Sequence, residues 1–177
     1  TRVFVHADIH DEFVARLLKR TRNLRIGDPT NPETQIGALI SQEHMQKVLG
    51  FIEQAKSDGA RLLCGGQQAE NPALAQGAFV EPTIFTDCAD DMRTVQEEVF
   101  GPVLCVKRFK TEEQALQMAN ASRFGLAAAV MSADLQRTAR VADQLRAGIV
   151  WVNCSQPTFV EAPWGGMKHS GIGRELG

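Results

Sequence analysis

Gly148-Ile149-Val150-Trp151-Val152-Asn153-Cys154 reads as a buried strand followed by a change of character. Ile149 to Val152 form a short β-favouring apolar run, and Gly148 before them is a helix-ending residue. A polar and aromatic link carrying Thr158, Phe159 and Glu161 leads from there into Ala162-Pro163-Trp164-Gly165-Gly166-Met167-Lys168-His169-Ser170-Gly171-Ile172-Gly173-Arg174-Glu175-Leu176-Gly177. The glycines permit backbone angles and close approaches that side chains forbid, while Lys168, His169, Arg174 and Glu175 need solvent or partners. A loop of this composition at the carboxyl end of a strand is where α/β folds place function; a terminal Gly-rich linker is the plain alternative.

Working outward, strands alternate with amphipathic helices. Ala133-Asp134 starts a helix with Leu135, Ala139, Val141, Ala142 and Leu145 on its buried side, ended by Gly148. Residues 126–131 read as a compact buried strand whose small side chains allow close cover by helices. Thr111 caps the helix before it, with Glu112 and Glu113 in the first turn, and residues 103–109 form another strand. At the other end, a strand over residues 2–6 leads through Ala7-Asp8 into a helix with Phe13, Val14, Leu17, Leu18 and Thr21 at helical spacing. Its Arg16, Lys19, Arg20 and Arg22 read as a solvated surface, with a phosphate reader as the other possibility. Ser41 opens a helix with the stripe Met45, Val48, Leu49, Ile52 and Ala55, and Asp58-Gly59 stops it. Residues 61–66 read as a strand ending in a glycine pair, and residues 79–85, interrupted by Pro82, as an edge or irregular strand. The fold class follows: α/β, a three-layer αβα domain with an open, mainly parallel sheet.

A chain of 177 residues suits one sizeable core, so residues 1–177 are read as a single domain. A net charge of −2 gives no electrostatic reason to expect nucleic acid or an anionic membrane as partner. No apolar run approaches the roughly 20 residues of a membrane span, and a cytoplasmic protein is expected, or one in an organelle whose targeting piece lies outside these residues. Cys64, Cys88, Cys105 and Cys154 include no Cys-x-x-Cys pair, so no metal site is spelled, and buried thiols are expected. Cys154 alone lies in the suspected site, where a redox or substrate-contact role competes with burial.

The other chemistry-bearing stretch is Met92-Arg93-Thr94-Val95-Gln96-Glu97-Glu98-Val99-Phe100-Gly101-Pro102. A short helix stopped by Gly-Pro would present Glu98 and Phe100 at its end. A carboxylate there can accept both hydroxyl hydrogens of a ribose, and a phenyl ring can pack on a flat nicotinamide. From spacing alone, a Glu-Glu pair at a helix end reads as a solvated pair.

Trp151-Val152-Asn153-Cys154, Pro163-Trp164-Gly165-Gly166-Met167-Lys168, Ser170-Gly171-Ile172-Gly173-Arg174-Glu175-Leu176-Gly177 and Glu97-Glu98-Val99-Phe100-Gly101-Pro102 together resemble the NAD(P)-dependent aldehyde dehydrogenases, and most of all the betaine aldehyde and aminoaldehyde branch. The resemblance covers essentially the whole chain. It implies oxidation of an aldehyde to a carboxylic acid with NAD, or NADP, as hydride acceptor. The implied route is covalent: a cysteine thiolate attacks the carbonyl, hydride leaves for the nicotinamide, and water activated by a glutamate hydrolyses the thioester. Neither the nucleophile motif nor the general-base motif occurs here, so no catalytic residue is assigned and the piece alone is expected to be inactive. The resemblance maps nicotinamide-ribose binding to Glu98 and ring contact to Phe100; Lys47 is either an adenosine-ribose contact or an ordinary exposed lysine. Trp164 stands in the branch's aromatic box around an ammonium, where cation–π attraction is worth about 0.5–2 kcal/mol per ring; core filling is its other reading. Glu161 either adds negative charge for that cation or is simply exposed, and Thr158 and Phe159 belong to the same substrate wall. Ile149 stands where a small residue accompanies acceptance of trimethylammonium, which favours ω-aminoaldehydes with primary amines over betaine aldehyde.

The start at Thr1, without methionine and directly in a strand pattern, is expected of an excerpt of a longer chain, and the family's habit implies a homodimer or homotetramer. An aldehyde dehydrogenase for uncharged aldehydes and a non-catalytic binding or assembly module are the competing readings.

Overall fold

Alternation in Ile84-Phe85 and Leu104-Cys105-Val106 sends neighbouring side chains to opposite faces of one sheet, which then needs a helix on each face. The computed structural model describes all residues, Thr1–Gly177, in two units, Thr1–Phe109 and Lys110–Gly177. The first unit contains β1 (Arg2–His6), α1 (His10–Arg22), α2 (Gln42–Ser57), β2 (Arg61–Cys64), β3 (Thr83–Thr86), α3 (Arg93–Gln96) and β4 (Val103–Phe109). Its sheet runs β1-β4-β3-β2, with β1 and β3 parallel to β4 and β2 antiparallel at one edge. On one face Phe85, Val103 and Cys105 pack with Met45, Val48, Phe51, Ile52 and Ala55 of α2. On the other, Val5, Ile84 and Val106 pack with Val14, Leu17 and Leu18 of α1. This is the expected open, three-layer α/β arrangement.

Two details differ from expectation. β3 is interior and wholly buried, not an edge strand. Pro82 lies just outside the pairing, so it removes no ladder bond: Thr83 is the first residue to pair, and its N–H reaches the Pro102 carbonyl at 2.8 Å. Upstream, Val80 makes only a single bridge with Gln68. The glycine pair after β2 is required by geometry, since Gly65 and Gly66 have φ of 67° and 90° and a Cβ on Gly65 would lie 2.3 Å from the Pro82 carbonyl oxygen. The second difference is in α2, whose buried stripe also includes Phe51, under the Arg93 guanidinium at 4.1 Å.

The second unit contains α4 (Glu112–Asn120), β5 (Phe124–Gly125), β6 (Ala127–Val130), α5 (Leu135–Gln144), β7 (Ile149–Val152) and β8 (Met167–Lys168). β6 and β7 pair in parallel, β5 and β8 antiparallel. Thr111 and Asp134 cap α4 and α5 by accepting the N–H groups of Gln114 and Arg137. The two helices are joined by a bidentate ion pair, Arg140 Nε and Nη2 to the Glu112 carboxylate, both 2.8 Å. The expectation of a buried strand at 126–131 is corrected: Ala127 and Ala129 are exposed and only Ala128 and Val130 are half-buried. A two-stranded sheet covered on one face within its unit leaves alternate residues outside. Leu135 and Ala139 of α5 are likewise exposed, Thr138 is buried instead, and α5 ends at Gln144 rather than at Gly148. No helix is long and apolar enough to cross a membrane.

α1 is fastened to β4 by Arg108, whose Nη2 donates to Asp11 Oδ1 at 2.6 Å and lies 3.0 Å from His10 Nδ1. The His10 hydrogen bond, with the Arg108 charge, holds the Asp11 carboxyl below its ordinary value of 3.8. A depressed carboxyl contributes stability that is complete above its unfolded value and is lost as pH falls through the folded one. Asp11→Asn should therefore lower the thermal midpoint at neutral pH, and the gap from wild type should close as pH falls below about 4; thermal unfolding of both proteins across that range checks it.

Candidate functional site

α3 ends at Gln96, earlier than the Gly-Pro stop that its sequence suggests, because Glu97 is already extended at φ −108°, ψ 161°. Side chains then alternate: Glu98 is exposed, Val99 buried, Phe100 exposed. This separates the two glutamates. Glu97 pairs with Arg93 at 3.1 Å, whereas Glu98 forms no ion pair and faces solvent. Phe100 is 73% exposed and sits at φ 55°, the left-handed region that a bulky residue rarely occupies. Its carbonyl accepts a hydrogen bond from His44 Nε2 at 2.7 Å, and the two rings meet edge to face at 6.2 Å and 72°. Beneath the turn, a Cβ on Gly101 would meet Val48 Cγ2 at 2.8 Å, so α2 packs directly against the backbone. Lys47 is exposed on the same helix, one turn after His44.

The second candidate region belongs to the other unit and is built on β7. Ile149 and Trp151 point to one side of the strand. Trp151 Nε1 donates to the Pro157 carbonyl at 3.0 Å, and its ring lies 6.2 Å from that of Trp164, tilted by 48°. Trp164 is half-buried and held by a backbone pair with Glu175, the two N–H···O bonds measuring 2.7 and 2.9 Å. Arg174 Nη1 donates to the Gly166 and Gly173 carbonyls at 2.8 and 2.7 Å. Lys168 Nζ donates to the Asn120 and Ser122 carbonyls at 3.1 and 2.9 Å, a cation placed at the carboxyl end of α4. Ser170 Oγ accepts from the Gly125 N–H at 3.0 Å. The terminal stretch is therefore a hydrogen-bonded platform and not a linker.

Between β7 and Trp164, Thr158, Phe159 and Glu161 are all exposed. Cys88 and Cys105 are buried and Cys64 half-buried, but Cys154 is exposed, which corrects the expectation of burial. It lies beyond the end of β7, after Asn153 at φ 55°, where the chain has already turned away from the sheet. The Asn153 amide fixes that turn by donating to the Ser132 carbonyl and accepting its N–H, both at 2.9 Å.

Two residues with evident roles escaped the sequence reading. His44 resembles any polar residue in a first helical turn, and nothing local announces a partner at Phe100. Trp151 had a signal in its alternation with Ile149, but its contact with Trp164 spans a loop whose path the sequence does not give.

A family model described as "Aldehyde dehydrogenase family" matches residues 1–177. The chain belongs to the aldehyde dehydrogenase family. It is 52% identical over all 177 residues to the chloroplastic betaine aldehyde dehydrogenase of Atriplex hortensis, covering 35% of that protein. It is 50% identical to the peroxisomal aminoaldehyde dehydrogenase 2 of Pisum sativum, over the same 177 residues and 35% of that protein. A crystal structure of betaine aldehyde dehydrogenase from Staphylococcus aureus in complex with NAD+ superposes with a TM-score of 0.97 at 45% identity, over 99% of this chain and 35% of that one. The chain thus spans about a third of the length of the curated relatives it matches. The resemblance read from the motifs is borne out in family, and the relatives carry the names of the same branch.

Within this aldehyde dehydrogenase chain the tightest of the platform's glycine contacts is at Gly148. A Cβ on Gly148 would lie 1.7 Å from the Gly165 carbonyl oxygen, the residue next to Trp164. Gly148→Ala must push that strand and loop apart, and should cost about 3 kcal/mol or more, at or beyond the upper end of ordinary overpacking. Loss of that size in denaturant unfolding, with a shift in tryptophan fluorescence from Trp151 and Trp164, is the expected result.

Proposed function

We propose that the chain is part of an NAD-dependent aldehyde dehydrogenase that oxidises an ω-aminoaldehyde, or betaine aldehyde, to its carboxylic acid through a cysteine thioester, with the nucleophile and general base supplied from outside these residues. The observation that carries the reading is Glu98, exposed and without an ion pair, beside a Phe100 ring that is 73% exposed. That pairing fits the nicotinamide end of NAD: the carboxylate accepts from the two ribose hydroxyls, and the ring offers a flat apolar contact. Lys47, one turn along α2 from His44, supplies a cation for the adenosine end. When bound, NAD supplies the hydride acceptor; Glu98 and Phe100 bind and orient it, and NADP is the alternative cofactor.

On the substrate side, Trp164 lies against Trp151, and Ile149 shares the Trp151 side of β7. We read Trp164 as one wall of an ammonium box, with Glu161 adding negative charge and Thr158 and Phe159 completing the exposed wall. Isoleucine at 149 favours primary amines, because bulk behind the aromatic pair leaves less room for three methyl groups. The half-buried position of Trp164 on Trp151 favours a second reading, packing alone, in which the parent enzyme takes uncharged aldehydes. The single domain 1–177, taken as part of a larger catalytic domain, a cytoplasmic location and a homodimeric or homotetrameric parent complete the proposal; two relatives are named as chloroplastic and peroxisomal.

The test is kinetic, on the full-length enzyme with NAD+ and three substrates: 3-aminopropionaldehyde, betaine aldehyde and an uncharged aldehyde of similar size. The cationic substrates should lead in kcat/KM by about tenfold or more, near 1.4 kcal/mol, and Trp164→Ala should erase the lead. Equal turnover of the uncharged aldehyde by both proteins would assign Trp164 to packing. Glu98→Gln should raise the KM for NAD+ by about tenfold.

A further inference from the structure

We propose that His44 is a positioning residue for the nicotinamide end of the cofactor, acting through Phe100 rather than on the ligand; the proposal rests on the reading of Glu98 and Phe100 given above. Phe100 occupies φ 55° although its side chain disfavours that region, so something must hold it there. One side chain makes both restraining contacts. His44 Nε2 bonds the Phe100 carbonyl at 2.7 Å, and the His44 ring abuts the Phe100 ring at 6.2 Å. A carbonyl only accepts, so Nε2 is the donor in this bond.

His44 is itself fixed. Its N–H donates to the capping Ser41 Oγ at 3.1 Å, and Val48, one turn on, is fully buried beneath Gly101. The turn that presents Glu98 and Phe100 is thereby referred to the rigid face of α2. Without the imidazole, Phe100 relaxes toward negative φ, its ring swings, and the adjoining segment carries Glu98 with it.

In the full-length enzyme, His44→Leu removes the donor, His44→Asn keeps polarity but is too short to reach the carbonyl, and His44→Gln can still donate to it. The first two should raise the NAD+ KM, and the NAD+ dissociation constant by fluorescence titration, about tenfold, with the aldehyde KM at saturating NAD+ unchanged. His44→Gln should recover most of the loss. In a Phe100→Gly background, where φ 55° carries no strain, His44→Leu should have no further effect, because the two residues act in series. Additive losses in that double mutant, or NAD+ binding unaltered by His44→Leu and His44→Asn while Glu98→Gln weakens it, would overturn the role of His44 and leave the cofactor reading standing. If Glu98→Gln and Phe100→Gly also leave NAD+ binding unchanged, the cofactor reading falls and the role of His44 with it.

Discussion

Everything in the first unit depends on the two-sided burial of β3 and β4. The pairs Ile84↔Leu104 and Phe85↔Cys105 fix a register in which Phe85 and Cys105 meet α2 while Ile84 and Val106 meet α1. A slip of one residue would exchange the faces and strand the large side chains against the wrong helix. Phe51 and Phe85, both fully buried, each contribute roughly 1.5–3 kcal/mol on burial. Because β4 must begin at Val103 to hold that register, Gly101 and Pro102 must lie at the sheet's margin, and Glu98 to Phe100 must approach it along α2. The position of the proposed cofactor wall is a consequence of core packing.

The second unit is held by different means. The clusters of buried apolar side chains lie wholly within residues 3–106. In residues 110–177 the fastenings are polar: capped helices, the Glu112–Arg140 fork, the Asn153 amide pair with Ser132, and the Lys168 and Arg174 bonds to carbonyls. Hydrogen bonds of this kind contribute about 1 kcal/mol each, and more when charged, so the platform rests on several modest terms and on glycine contacts that admit no substitute. Among its aromatic rings Phe159 is exposed, while Trp151 and Trp164 are half-buried, one against the other.

What could be read from the sequence follows the range of each signal. Helical spacing placed α2 and its Ser41 cap correctly, and strand composition placed β4 and β7, because those patterns are decided by neighbours within a turn or a pleat. The α/β class followed from their alternation. Signals failed where a distant partner decides. Pro82 suggested an edge, yet β3 is interior because pairing begins one residue later. The small residues of 126–131 suggested burial, but which face is covered depends on how many strands and helices surround them, and no local pattern states that. The motif residues Glu98, Phe100 and Trp164 were legible through resemblance; what distinguishes Glu98 from Glu97, an Arg93 partner for one and no ion pair for the other, is set by where the helix stops and not by the local pattern.

That distinction also explains why the turn is built from a strained residue. If Glu97 through Phe100 continued α3, Glu98 and Phe100 would project about 200° apart around the helix axis and could not serve one ligand. In the structure the helix stops at Gln96, and Glu98 and Phe100 are both exposed, two residues apart, with Val99 buried between them. The chain must then reverse at once to enter β4, and the left-handed conformation of Phe100 accomplishes the reversal. Glycine would do so without strain but would bring no ring. Keeping an aromatic at that position costs on the order of 1–3 kcal/mol in backbone strain, and the hydrogen bond from His44 offsets part of it. The strain, the imidazole and the exposed ring together hold a flat apolar surface in the open, two residues from an exposed carboxylate.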